Sequence, residues 1–239
     1  MSETLTRNVP RRRPGHGWEV AAFVVALLSV TPALAQAPNA GGASVDLFEP
    51  ANQLFNNLNS YLLTNLLDPA GRAYIDYVPP ETRRGVATAF VNLREPLTVL
   101  SDVLLLDGAG AANATSRFAI NSTVGVLGFY DVATDYGYPI KPRRLDQVLC
   151  RVYVPEGPYF VLPFFGASNL RDAVAVVATN FLLYAVTGSA YIPYRFLEVI
   201  AVHTPVSAQP DEQVVDYEVT RDAYLSRRRT ACEAERSAM

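Results

Sequence analysis

From Val152 to Tyr194 the chain carries only three charged residues, Glu156, Arg171 and Asp172. A stretch this long and this apolar cannot lie open on a water-soluble fold. It must be buried in protein or face lipid. Within it, Ala173 to Val186 is apolar except for Thr179 and Asn180. That length fits a buried, re-entrant or interfacial helix and falls short of the about 20 residues of a bilayer span. The preceding loop, V-P-E-G-P-Y-F-V-L-P-F-F-G, presents Tyr159, Phe160, Phe164 and Phe165 around prolines. Such a loop either packs into a core or rests on lipid or a partner.

A second segment lacks charge altogether. From Pro50 to Leu67, Leu54, Leu58, Tyr61, Leu62 and Leu66 recur at helical spacing, with Phe55 beside them. The opposite face holds Asn52, Gln53, Asn56, Asn57, Asn59 and Ser60. A surface helix ordinarily carries Lys and Glu there. A polar but uncharged face suits a protein surface, a headgroup layer or a hydrated channel, as well as a plain Asn-rich surface.

Helical periodicity runs through the rest. It predicts helices over Glu81–Leu93, from Pro96 through Leu106, over Ala111–Ile120, over Asp146–Val152, and from about Asp211 to Glu235. Ser168 is placed to cap a helix whose first turn contains Asp172. Strand signals are few and short, so the expected class is all-α. The chain is 50% hydrophobic and 18% charged, where about 25% charged is usual. A net charge of −3 gives no reason to expect nucleic acid.

The N-terminus reads as an export signal. Arg7, Arg11, Arg12 and Arg13 precede the uncharged apolar run Val20–Val30, and Ala33-Leu34-Ala35 supplies small residues before a cut at Gln36. Residues 1–35 are thus expected as a signal peptide, 36–44 as a flexible linker and 45–235 as one helical domain. No cysteine sits near the cut, so no lipoprotein signal is expected. In an oxidising compartment Cys150 and Cys232 most simply make one disulfide, the alternative being two thiols.

Catalytic material is scarce. Beyond residue 35 the only histidine is His203, and no serine stands in a G-x-S-x-G turn. No phosphate-binding glycine loop appears. Asp131 and Asp135 are four apart, a spacing common on solvated helix faces. Arg227-Arg228-Arg229 suits either anionic headgroups or a solvated helix end. No catalytic, cofactor or metal site is expected.

Several strings in order resemble one family. They are Asn92-Leu93-Arg94-Glu95-Pro96; Arg117-Phe118-Ala119-Ile120-Asn121-Ser122-Thr123 with Gly125; Gly128-Phe129-Tyr130-Asp131-Val132-Ala133; Gly157-Pro158-Tyr159 through Leu162-Pro163, Gly166 and Arg171-Asp172; and Ala223-Tyr224-Leu225 near Arg227-Arg228. Together, over roughly Asp46 to Arg229, they resemble the VacJ/MlaA proteins of Gram-negative outer membranes.

The resemblance implies a single ring-like helical domain in the inner leaflet of the outer membrane. It implies removal of mislocalised phospholipid from the outer leaflet through a hydrophilic passage, beside a trimeric porin, with hand-over to a soluble periplasmic carrier. No covalent chemistry and no cofactor are implied. Asn56, Asn57, Asn59, Asn121 and Ser122 are the passage candidates, because amides and hydroxyls pair with a headgroup without a fixed charge. Arg94, Glu95, Arg117, Arg171 and Asp172 form either a structural network or a lipid contact. A soluble periplasmic lipid-binding or adaptor protein is the alternative.

The chain departs from the family pattern in three places. The lipobox cysteine is missing. The opening string reads Asp46-Leu47-Phe48-Glu49-Pro50-Ala51-Asn52. Leu145-Asp146-Gln147-Val148-Leu149-Cys150 lacks the family's two glycines, which implies a stiffer loop, one that a Cys150–Cys232 disulfide would fix to the last helix.

Overall fold

A computed structural model describes residues 46–203 and 217–237. The expected signal peptide and linker lie outside the described residues, as does the start of the last helix at Asp211.

Helix α1 (Glu49–Leu62) runs through a π-helical turn (Leu63–Leu67) into α2 (Asp68–Tyr77). The wide turn has a cause. Pro69 has no N–H for an ordinary helical bond, and a π turn absorbs the gap. Val78 is extended before Pro79, as a residue preceding proline tends to be. Helix α3 (Pro80–Leu104) then continues unbroken past Pro96. Two helices parted at Pro96 were expected. The long face that α3 packs on its neighbour outweighs the hydrogen bond lost there.

Asp107 caps α4 (Gly108–Thr123) by accepting from the Gly110 N–H at 2.8 Å. The turn folds α4 back along α3, so that Glu95 meets Arg117 and Asn92 meets Ser122. Short helices α5 (Val132–Asp135) and α6 (Leu145–Arg151) follow.

The expected apolar loop is instead a hairpin. Strands β1 (Tyr159–Leu162) and β2 (Gly166–Asn169) pair antiparallel, with Tyr159 opposite Asn169 and Leu162 opposite Gly166. Burial alternates along β1, which is the period of a strand. Helix α7 (Leu170–Thr187) starts directly after it, and the cap is Asn169 rather than Ser168, its side chain accepting from the Asp172 N–H. Gly188, at φ 57, ends α7. A 3-10 turn (Gly188–Ala190), α8 (Tyr191–Glu198) and a second π-helical turn (Val199–His203) follow, and α9 is Tyr217–Ser237. The two-stranded hairpin apart, the regular elements of the described residues are helices, as the all-α reading requires.

Neighbouring elements close a circuit. Helix α1 packs on β1, the hairpin on α7, α7 on α8, and the turn after α8 returns to α2 and α3. Helix α9 packs outside this circuit against α6 and β2. The Cys150–Cys232 disulfide ties α6 to α9, joining cysteines 82 apart in sequence.

The distribution of polarity is inverted. The largest fully buried side chains are Arg117, Glu198, Asn52, Asn121, Asn169 and Cys150. Buried residues of α3 include Asn92, Glu95, Thr98, Ser101 and Asp102, while its Leu93, Leu100, Val103 and Leu104 are exposed. Exposed apolar side chains also line α1 (Leu54, Leu58, Tyr61) and α8 (Ile192, Phe196, Leu197).

Candidate functional site

Three polar clusters and one asparagine ladder lie in the interior beside the apolar cluster of Tyr159, Val161 and Leu225. The ladder comes from α1. Asn52 is buried, donates to the Tyr159 carbonyl at 3.3 Å and accepts from the Val161 N–H at 2.8 Å. Seven residues on, Asn59 donates to the Leu162 carbonyl at 2.9 Å and accepts from the Phe164 N–H at 2.7 Å. Two asparagines on one helix face therefore satisfy the free edge of β1, which would otherwise leave backbone groups unpaired. This accounts for part of the uncharged polar face. Asn56 is half-buried and Asn57 exposed on the same helix.

The first cluster centres on Arg117. Its Nε donates to Glu95 at 2.7 Å and its Nη2 to Asp131 at 3.0 Å, while Nη1 reaches Thr134 and the Tyr138 carbonyl. Asn121 donates to Asp131 and accepts from the Ala133 N–H, so both ends of its amide are held and it is 1% exposed. Ser122 accepts from Asn92 at 2.9 Å. Asn121, expected as a passage residue, is a buried amide whose oxygen and nitrogen both have partners within this cluster. Burial pushes the Glu95 carboxyl above its usual range despite Arg117. Asp131 is burdened by burial too, but bonds from Thr134, Asn121 and Arg117 hold it below.

The second cluster joins α6, α7 and α9. Asp172 accepts from Arg171 at 3.0 Å, from Arg228 at 2.5 and 2.9 Å, and from the Tyr224 hydroxyl at 2.9 Å. Arg228 also reaches Asp146 at 2.8 Å. Burial works to raise the Asp172 carboxyl, yet the two guanidiniums hold it below its usual range.

The third cluster lies on the closing circuit. Buried Glu198 accepts from both Arg94 of α3 and Arg195 of α8. Two cations share one carboxylate. The Arg94 side chain is 42% exposed, unlike that of Arg117. Arg195 stacks 5.7 Å from the Phe165 ring at the hairpin tip. The tip is thus held by Asn59 on one side, through the Phe164 N–H, and by Arg195 on the other, through the Phe165 ring.

The aromatic residues of the hairpin divide. Phe164 and Phe165 are exposed, and Phe160 stacks on Phe48 with ring centroids 4.6 Å apart. Tyr159 is buried against Leu225 and Tyr224, which corrects its reading as a surface contact. On β1 it occupies an inward position.

Sequence reasoning did not single out Asn52, Asp131, Glu198, Arg195 or Arg228 as site residues. Glu198 had a signal: it is the only carboxylate between Asp172 and Asp211. A lone acid in apolar surroundings needs a cation. Among the described residues no group of three or more His, Cys, Asp and Glu is arranged to hold a metal.

The model of the MlaA lipoprotein family matches residues 44–231. The chain belongs to that family. It is 33% identical over 130 residues to the intermembrane phospholipid transport system lipoprotein MlaA of Escherichia coli, covering 53% of this chain and 50% of that protein. An uncharacterised protein of Rickettsia felis is 32% identical over 138 residues, covering 58% of this chain and 55% of the relative. The chain thus spans about half the length of the curated relatives it matches. A solved structure concerned with the structural basis for maintenance of bacterial outer membrane lipid asymmetry aligns with a TM-score of 0.61 and 26% identity, over 78% of this chain and 98% of that one.

Proposed function

We propose that this protein is an outer-membrane component of a phospholipid transport pathway. It removes mislocalised phospholipid from the outer leaflet and passes it to a soluble periplasmic carrier, working beside a trimeric porin. The observation that carries this reading is the inverted polarity: Arg117, Glu198, Asn52 and Asn121 inside, with leucines, valines and aromatics outside. An apolar exterior is stable against lipid tails, and a polar interior offers a headgroup partners that hydrocarbon lacks. Membership of the family and the relatives' names support the same reading.

The passage runs along the inner side of the circuit, past Asn56, Asn59, Ser122 and the Arg94–Glu198–Arg195 cluster. The spare positive charge there attracts a lipid phosphate. Because Glu198 keeps Arg195, Arg94 can act on lipid without carrying the fold. Arg117, Glu95, Arg171 and Asp172 serve as the scaffold. No bond is made or broken in this function.

The test is phospholipid exposed at the cell surface in a deletion strain. The wild-type gene restores the parental level. Arg94→Ala accumulates to normal amounts and fails to restore it. Full complementation by Arg94→Ala would remove the headgroup role. The alternative, a soluble periplasmic lipid-binding or adaptor protein, is separated by extraction: release by carbonate would favour it.

A further inference from the structure

The α3–α4 hairpin ends in two exposed apolar turns wound into left-handed backbone. At one end Leu106 has φ 58 and is 92% exposed, beside exposed Val103 and Leu104. At the other, Val126 (φ 54) and Leu127 (φ 57) are exposed, Leu127 at 77%, flanked by Val124 and Tyr130. Left-handed backbone is unfavourable for any residue with a Cβ, and most of all for a β-branched one. Some gain must hold these residues there.

The gain lies in the backbone hydrogen bonds. In the second turn, the N–H groups of Val124 and Gly125 donate to the Ile120 carbonyl, that of Leu127 to Ser122, Gly128 to Asn121, Phe129 to Val126 and Tyr130 to Gly125. In the first, Leu105 donates to Ser101, Leu106 to Val103, Asp107 to Asp102 and Gly108 to Leu106. A turn in water can leave such groups to solvent. A non-helical segment against hydrocarbon must satisfy them within the protein. The Val126 N–H apart, the donors of both turns meet that demand while their apolar side chains are exposed.

The second turn is also firmly seated. The Phe129 ring fills the space over Gly85, where an added Cβ would lie 2.2 Å from it, and Gly128 lies against Asn92. The turn therefore sits beside the first half of α3, and Leu106 follows its C-terminal end. From Gly85 to Leu104 α3 rises about 28 Å, close to the hydrocarbon thickness of a bilayer. A helix crossing that layer would have polar ends at the headgroups. Here the two ends carry exposed apolar side chains and the half-exposed Arg94 lies between them.

We propose that the Leu106 and Val126–Leu127 turns are twin apolar anchors that dip into one leaflet and hold the α3–α4 hairpin parallel to the bilayer. This rests on the membrane-embedded reading above. Trp18 is the only tryptophan in the chain and lies in the expected signal peptide, so protein prepared from Gln36 onward gives a tryptophan-free background. Leu106→Trp, Leu127→Trp and, on exposed α9, Arg227→Trp are each added to it. The proteins are reconstituted into phosphatidylethanolamine–phosphatidylglycerol vesicles doped with lipids brominated at shallow or deep acyl positions.

The expected result is equal quenching at 106 and 127, strongest with shallow bromines, and none at 227. Quenching at only one of the two turns, or different depths for them, overturns the parallel orientation. Unquenched tryptophans in protein that still floats with vesicles overturn the anchors and leave the embedded reading intact. Protein from Gln36 onward, without any added tryptophan, that does not float overturns both.

Discussion

Arg117→Met tests the interior most directly. The substitution keeps length and apolar contact but removes the cation that Glu95 and Asp131 face, at 2.7 and 3.0 Å. Breaking one side of a buried ion pair costs about 3–5 kcal/mol. Here the cost has a ceiling, because Glu95 can take up a proton. Burial already raises its carboxyl above the ordinary 4.5 even with Arg117 present. Protonating an ordinary carboxyl of pKa 4.5 at pH 7 costs about 1.4 kcal/mol for each of roughly 2.5 pH units, or about 3.4 kcal/mol, and the raised Glu95 carboxyl costs less than that. At pH 5 the same step costs an ordinary carboxyl about 0.7 kcal/mol and Glu95 less. The sign follows from linkage: in the variant Glu95 is raised further, so its folded form gains stability as pH falls toward the unfolded value. Denaturant unfolding in detergent, at pH 7 and pH 5, should give a loss of about 3 kcal/mol that shrinks by about 2–3 kcal/mol at the lower pH. An equal loss at both values, or less than about 1 kcal/mol at pH 7, would refute a charge-based account of this cluster.

Three other outcomes follow from the geometry. Gly85→Leu should drive the Phe129 ring off α3 and cost about 1–3 kcal/mol, read as a lower midpoint together with faster proteolysis after Tyr130. Cys150→Ala with Cys232→Ala should lower stability by up to about 4–5 kcal/mol on the entropic account for a closed loop of this size, and reductant should do the same to the wild type alone. Asp172 is held below its ordinary carboxyl range, so its contribution is complete above about pH 4 and is lost as pH falls through the lower folded value. Asp172→Asn should accordingly be less stable at pH 7 and lose less on going to pH 3, measured as unfolding midpoints.

The helices were legible because their periodicity is strong, and the low charge of 152–194 identified the region that forms the hairpin and α7. The hairpin itself was hidden. Its strands are four residues each and its turn is rich in proline and phenylalanine, so no alternating run was long enough to read. Pro96 misled because its local preference yields to packing along a helix of 25 residues. The polar stripe of α1 was visible, but its purpose depended on a partner more than a hundred positions away, as with Asn52 and Val161. The same holds for Glu198, whose isolation was written in the sequence while Arg94 was not its neighbour there. Surface and interior exchanged roles in a way that composition hinted at and only the coordinates assigned to particular side chains.

That exchange has a consequence for how such a chain reaches its destination. A fold with charges at its centre and leucines on its skin has no good state in water: open, it exposes apolar segments, and closed, it still does. On the membrane-embedded reading proposed above, any stretch of aqueous route between synthesis and bilayer is crossed under escort, by something that covers the apolar skin until lipid replaces it. Delivery, as much as sequence, is a condition of this protein's stability.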